Sequence, residues 1–529
     1  MLIDKRYVTF ETDNKHNNCI TVNFWDGDAL IEQVFTHLGE GGPKYFVDMQ
    51  EYIGKELKVT LEPCKSIWRR CPEGADPAQE KIEARRKYIR CEDSYDTEHD
   101  NDSLRPVLHF TTQRGWVNDP NGCIYYDGVY HLYYQHCPGA LEAMWDNNHW
   151  GHAYSTDLIT WTEAEPVLRF PHAASGTGFI NRENGKVCIT TSNLIYESED
   201  GGYHYNFKGV NTAGNGDPKI LWIDEFNKYF SITLRDITSY TIASSPDLVN
   251  WTHESDIEGF RECPDFVKYR IEGTDEYKWV LNGGDGAYQI GDFDGHVFTP
   301  DPIPEDRVDK YRYIMKVTES FCNKYNGSYT NYMHKDEWER FTAYAHQNFD
   351  NAPDDRKIRI AWYPIAYGRH GMPFNQGMTI PTEMCLKKTG LGVRLCYSPV
   401  KELDAYRTEH KAADGKDIEL SFAEGDAFDA IMEFKPDAKL TVRGYEFTFD
   451  KEENKLWVLP PDKVKFDVPY VLTEENVRIR AIFDIMMAEF FCDEGELYLP
   501  LKPDEKYIGI NAKIEGEGKL DIYELKTRK

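Results

Sequence analysis

Between Leu108 and about Pro399 the chain is a succession of short aromatic runs broken by Gly, Asp and Asn, with almost no apolar pattern of helical period. Such runs suit half-buried pleated surfaces, and many of them in series specify a propeller, sandwich or barrel rather than a helical fold. The 34 Tyr, 27 Phe and 12 Trp supply the flat rings that pack on such surfaces. An internal echo favours stacked, similar sheets. Ser155-Thr-Asp-Leu-Ile-Thr-Trp161 and Ser245-Pro-Asp-Leu-Val-Asn-Trp251 share the pattern Ser-x-Asp-Leu-x-x-Trp, 90 residues apart.

The flanks differ in texture. Residues 1 to about 65 contain strands such as CITVNFW and ELKVTLEP between turn residues, the pattern of a small β-sandwich. Residues 66–104 carry one helix-prone stretch and an acidic run, and are expected to be a linker. Residues 400–529 alternate apolar with Lys and Glu, as antiparallel sheets with one wet face do. At 529 residues, three such parts are a reasonable division of the chain.

A net charge of −29 repels phosphate backbones and anionic lipid, so nucleic acid and membrane surfaces are poor partners and a small neutral ligand is favoured. The same charge disfavours a phosphorylated substrate. Twelve Cys are scattered without a CxxC pair, so reduced thiols are expected. The first residues lack the basic and apolar segments of a secretion signal, and no apolar stretch is long enough to span a bilayer, so a cytoplasmic location is expected. His149 and His152 stand at i, i+3 on an apparent strand and face opposite sides. With no further ligand set at zinc spacing, neither a metal nor a cofactor is expected.

The densest chemistry lies at Trp116-Val-Asn118-Asp119-Pro120-Asn121-Gly122. Pro120 biases Asp119 toward extended backbone, and Asn121-Gly122 is expected to open a hairpin. In isolation this is an ordinary turn of self-bonding Asx side chains. It is not isolated. Together with His131-Leu-Tyr-Tyr-Gln135, His149-Trp-Gly-His-Ala-Tyr-Ser155, Ser175-Gly-Thr177, Gly216-Asp-Pro-Lys219, Glu262-Cys-Pro-Asp265 and Ile380-Pro-Thr-Glu383, it resembles in order and spacing glycoside hydrolase family 32, the invertases, inulinases and levanases.

That resemblance implies a five-bladed β-propeller over residues 105–399 followed by a C-terminal β-sandwich, here with an additional N-terminal module. It also implies roles: Asp119 as nucleophile, Glu262 as general acid/base, and Asp217 as the carboxylate that bonds sugar hydroxyls and stabilises the transition state. The chemistry is coherent, because retention at a ketoside needs one ionised and one protonated carboxyl about 5 to 5.5 Å apart. Asn118, Gln135 and Ser175 resemble residues lining the sugar subsite. Trp145 and Trp362 are candidate apolar walls, and Cys263 is expected to be a packed thiol at the site rather than a nucleophile.

The expected reaction is exo-type release of fructose from a short β-2,1- or β-2,6-linked fructoside. Two alternatives stay open: a fructosyltransferase or difructose-anhydride enzyme using the same triad, and a carbohydrate-binding propeller without catalysis. Family members carry Arg before the stabilising Asp, but this chain has Gly216, and an Arg-Asp pair occurs instead at Arg235-Asp236. The missing guanidinium predicts poor activity on sucrose. Because no catalytic motif precedes Trp116, the first 100 residues are expected to be separable from the chemistry.

Overall fold

The computed structural model describes the chain except for residues 14–18, 64–78, 95–101, 142–147, 170–173, 215, 237–238, 259, 261, 285, 287, 303–342, 366, 391, 462–464, 473, 502–505, 507 and 527–529. Strands dominate. Among the described residues the helical elements are one five-residue α-helix, Gln79–Glu83, and short 3-10 turns, and no helix there is long and apolar enough to cross a membrane.

The middle of the chain forms five mainly antiparallel sheets in sequence order, and the short strand Phe374–Asn375 returns to pair parallel with the first strand of the first sheet. Their first strands are Gly115–Tyr126, Gly178–Ile180, Lys219–Ile223, Asp265–Arg270 and Tyr344–Asn348. Each sheet buries one face against the next. Tyr133 and Trp150 of the first sheet share a core with Ile189 and Tyr196 of the second. Phe179 and Ile195 of the second meet Ile220 and Tyr229 of the third. Phe230 and Tyr240 of the third meet Phe266 and Trp279 of the fourth. Tyr269 and Ile290 of the fourth meet Leu386 and Leu395 of the fifth. Ile358 and Ile360 of the fifth return to Val117 and Leu132 of the first. Side chains such as Phe179 and Phe230 are almost fully buried in these seams, each contributing roughly 1.5–3 kcal/mol by leaving water.

The echo between positions 155 and 245 is one turn built twice, between the third and fourth strands of its sheet. Ser155 Oγ accepts from the Leu158 amide, Asp157 Oδ1 accepts from the Ile159 and Thr160 amides, and Trp161 Nε1 donates to Leu158 O. Asp247 Oδ1 accepts from Val249 and Asn250, and Trp251 Nε1 donates to Leu248 O. The side-chain oxygens replace absent backbone partners.

At the N-terminus, two three-stranded sheets share one core that includes Val8, Phe10, Phe24 and Leu61. The stretch expected to be a linker is partly integral to this unit: Ile89–Glu92 pairs with Tyr7–Asp13, and Ile82 and Ile89 enter the same core. Their isolated apolar positions sit among charged residues, which hid them in the sequence.

Beyond residue 406, ten strands form one continuous hydrogen-bonded sheet around a single core. The strand Ile510–Leu525 carries the continuity. It pairs with Lys439–Val442 over its first part and with Ala427–Phe434 over its second, switching at Gly516 and Gly518. Gly516 has φ +114° and a Cβ there would stand 2.6 Å from that of Ala438, so glycine is needed at the corner. His109 ties this unit to the sheets before it, bonding Asp484 through Nδ1 (2.9 Å) and Glu489 through Nε2 (2.8 Å).

Candidate active site

Each of the five first strands delivers one or two polar side chains at or near its start, and hydrogen bonds link them: Asn118 and Asp119 from the first sheet, Ser175 ahead of the second, Asp217 ahead of the third, Glu262 and Cys263 ahead of the fourth, Tyr344 at the start of the fifth. Lys219 and Asp265 hold two of these starts together, as described below.

Asp119 lies within the strand Gly115–Tyr126, not at a hairpin tip. Pairing with Val129–Cys137 slips between Val117 and Pro120 and again between Asn121 and Ile124. The first slip is a bulge at Asn118–Asp119, a device that redirects a side chain out of the ladder. Asn121-Gly122 does adopt the positive φ that the sequence suggests, at Gly122 (+55°), but as the second irregularity; the hairpin turn is Asp127–Gly128. A Cβ at Gly122 would stand 2.7 Å from Tyr133 Cδ2, so the glycine serves close packing as well as φ.

Both Asp119 oxygens are held. Asn118 Nδ2 donates to Oδ1 at 3.2 Å and Ser175 Oγ donates to Oδ2 at 2.8 Å. Gln135 closes the loop, accepting from Asn118 Nδ2 (2.5 Å) and donating to Ser175 Oγ (3.0 Å), and Asn148 also donates to it at 3.4 Å. Trp116 Nε1 donates to Asn118 Oδ1 at 2.8 Å, fixing which end of the Asn118 amide faces Asp119. Fixed orientation is what an attacking carboxylate requires. Burial raises the Asp119 carboxyl above its usual range against these hydrogen bonds.

Cys263 stands between two carboxylates. Its Sγ is 3.8 Å from Asp119 Oδ2 and 3.7 Å from Asp217 Oδ2, and its backbone N–H donates to Asp217 Oδ2 at 3.1 Å. Burial, reinforced by the facing carboxylates, pushes the thiol well above its ordinary value, so it remains a protonated donor and not a nucleophile. Asp217 is pushed up to about 6 by burial, with Asp119 adding to the shift. The peptide geometry is strained here: Asp217, Glu262 and Cys263 have φ of 39°, 29° and 45°. Non-glycine residues in that region cost roughly 1–3 kcal/mol each and cluster at functional sites. Tyr240 Oη and the Gly284 amide both donate to Glu262 O, at 2.9 and 2.8 Å, and so hold the turn. Tyr344 Oη donates to Glu262 Oε2 at 2.6 Å.

Trp362 joins Trp116, Phe35, Cys137 and Ala140 in an apolar cluster beside this network, its ring 6.1 Å from that of Trp116. Trp145 lies outside the described residues. Arg235 follows Leu234, whose amide donates to Gly216 O at 2.8 Å, but its guanidinium pairs with Asp256 at 2.9 Å and with Glu258, whereas Asp217 meets Cys263 at 3.1 Å. His149 bonds Glu32 (2.6 Å) while His152 meets His131 (3.0 Å), on opposite faces as expected. Cys123, Cys188, Cys263, Cys396 and Cys492 are buried free thiols.

Sequence reasoning missed Tyr344, Trp116, Asn148 and Gln376, the last accepting from Trp362 Nε1 at 3.3 Å. Trp116 opens the Asn118-Asp119 motif, but nothing local marks its indole as a donor, and the uses of the other three depend on contacts with distant strands. The N-terminal unit reaches this neighbourhood too. Phe35 belongs to the apolar cluster beside the site, with Cys19 packed at its edge, so the first 100 residues touch the cluster that contains Trp116 and Trp362.

Comparison with known proteins agrees with this geometry. Residues 109–399 match Glycosyl hydrolases family 32 N-terminal domain. A levanase of Bacillus subtilis is 29% identical over 519 residues, covering 82% of this chain and 72% of that one. An invertase of Schizosaccharomyces pombe is 32% identical over a shorter stretch, 38% of this chain and 43% of that one. A β-fructofuranosidase of Schwanniomyces occidentalis, solved with fructosyl-erythritol, superposes with a TM-score of 0.64 at 20% identity over 82% of this chain and all of that one. The matched span exceeds half of the sequence and contains every carboxylate of the site, and the chain belongs to glycoside hydrolase family 32.

Proposed function

We propose that this chain is a retaining β-fructosidase that releases fructose from small neutral fructose-containing saccharides by double displacement. Asp119 attacks the anomeric carbon, Glu262 protonates the leaving oxygen and then activates water, and Asp217 accepts hydrogen bonds from the fructose hydroxyls. The observation that carries this reading is the position of Cys263: one sulfur within 3.8 Å of both Asp119 and Asp217, on the residue after Glu262. Two carboxylates thus meet at one sulfur, and the residue beside it carries the third. Tyr344 donating to Glu262 at 2.6 Å orients it, and hydrogen bonds to both Asp119 oxygens fix the attacking carboxyl and partly offset the burial that raises it.

We infer that the five sheets are the blades of a propeller. Five seams that close on themselves support this, as does the delivery of site residues at the starts of neighbouring first strands. On that reading residues 105–399 are the catalytic domain and 400–529 a C-terminal β-sandwich with one continuous sheet. The N-terminal sandwich-like module then runs from residue 1 and gains the returning strand Ile89–Glu92 from the stretch 66–104.

The test is product analysis after incubation with sucrose, inulobiose and levanbiose. Free fructose with net retention at the anomeric carbon is expected. Longer or cyclic fructosides as main products indicate a transferase, and absence of turnover on all three refutes catalysis.

A further inference from the structure

We propose that the N-terminal module forms the back wall of the leaving-group side of the site, with Phe35 as its positioning residue, and that this wall restricts the enzyme to short fructosides. The inference rests on the fructosidase reading above and adds a determinant of chain length.

The side of the site is identified by Glu262, which donates to the departing oxygen. Tyr344 bonds Glu262, and its ring stands 6.3 Å from Trp362, edge-on. Trp362 meets Trp116, and Trp116 holds Asn118 beside the nucleophile. Behind these rings lies Phe35, 6% exposed, in the same apolar cluster with Cys137 and Ala140. Phe35 therefore acts through the two indoles and does not itself line the opening.

The module is docked without slack. A Cβ at Gly139 would stand 2.4 Å from Val34 Cγ1 and 2.6 Å from Phe35 O, so the turn that leaves the strand Val129–Cys137 touches the strand Ala29–Thr36 directly. Leu141, from the same segment, packs in the module's own core, and Asn375 Nδ2 donates to Leu141 O at 2.7 Å. Glu32, fully buried, bonds both His149 and Arg169 at 2.6 Å. A buried carboxylate with two partners fixes the orientation of the contact, because displacing it strands charge in a dry interior. A leaving group emerging past Tyr344 and Trp362 thus meets a surface that cannot yield. On this proposal the wall limits how many sugar units a leaving group can carry past Tyr344 and Trp362.

The experiment uses the full chain and compares kcat/KM for inulobiose with that for long-chain inulin. Wild type should favour the disaccharide, and Phe35→Ala should lower that preference roughly tenfold, the scale on which pocket contacts discriminate between substrates. The change should appear in KM for inulobiose with kcat largely kept, and Phe35→Leu should fall between. Should the alanine variant not fold, the leucine variant carries the comparison. Binding of both saccharides to Asp119→Asn, with and without the Phe35 substitution, measures the same ratio without turnover. Loss of hydrolysis on every substrate in wild type would refute the fructosidase reading, while the binding ratio would still judge the wall. A wild type indifferent to chain length, or a folded Phe35 variant with an unchanged ratio, overturns the proposal.

Discussion

Lys219 and Asp265 form an ion pair 3.1 Å long at 3% and 1% side-chain exposure, joining the first strand of the third sheet to that of the fourth. Asp265 also accepts from the Asn348 amide at 2.8 Å, which reaches the fifth. The pair thus sets the spacing between Asp217, two residues before Lys219, and Glu262, three before Asp265. Lys219→Met leaves a buried carboxylate without its cation and should cost about 3–5 kcal/mol. Thermal unfolding should show the loss, and the double variant with Asp265→Leu should recover part of it. A single variant as stable as wild type would contradict the role given to the pair.

Asp119→Asn should lower kcat by several orders of magnitude with little change in fold, since Ser175 can still bond the replaced side chain. Glu262→Gln should slow substrates with poor leaving groups far more than activated aryl fructosides, which depart with little protonation. Equal losses on both classes would remove Glu262 from the acid role, and more than about a tenth of normal activity in Asp119→Asn would remove Asp119 from the attack.

Asp217 and Asp119 titrate as neighbours, and the Asp217 carboxyl is pushed up to about 6. If ionised Asp217 binds the fructose hydroxyls, kcat/KM should fall as pH drops below about 6, because protonation removes an acceptor. A profile of kcat/KM from acid to neutral pH tests this. A limb that stays in place in Asp217→Asn belongs to another group.

His109 provides a stability signature. Burial opposes its charging, but hydrogen bonds to Asp484 and Glu489 outweigh that and raise it to about 9, above its ordinary 6.5. Its contribution is therefore fully present below about 6.5 and is lost as pH rises through about 9. The melting temperature should decline over that window. In His109→Gln the protein should be less stable throughout, without the alkaline slope. An identical slope in both would disprove the assignment.

Gly216 stands where relatives are expected to carry Arg. A Cβ there would sit 2.7 Å from Leu234 Cβ, so an arginine needs room that the present chain does not offer. Sucrose should be a poor substrate, and Gly216→Arg with Leu234→Ala should raise its kcat/KM by about 10- to 100-fold, the worth of one charge-assisted hydrogen bond. A wild type as efficient on sucrose as on its best fructoside would refute this.

The sequence by itself determined the sheets and the carboxylates. Short aromatic runs permit little but antiparallel strands, and Asp119, Asp217 and Glu262 each carry a local signature in a following Pro or Cys-Pro that constrains backbone before any tertiary contact forms. The repeated turn at Asp157 and Asp247 was legible for the same reason, since its bonds lie within a few residues. Tertiary structure decided what depends on distant segments meeting. Tyr344 bonds Glu262 from 82 residues away, and nothing around it marks that use. Gly122 became a bulge instead of a hairpin because Tyr133 and the neighbouring sheet fill the space beside it. Glu32 and Phe35 read as ordinary strand residues, and only the docking of the N-terminal module turned one into a buried anchor and the other into support for the site. Local backbone preference is written in adjacent residues; which faces come together depends on burial summed over the whole chain.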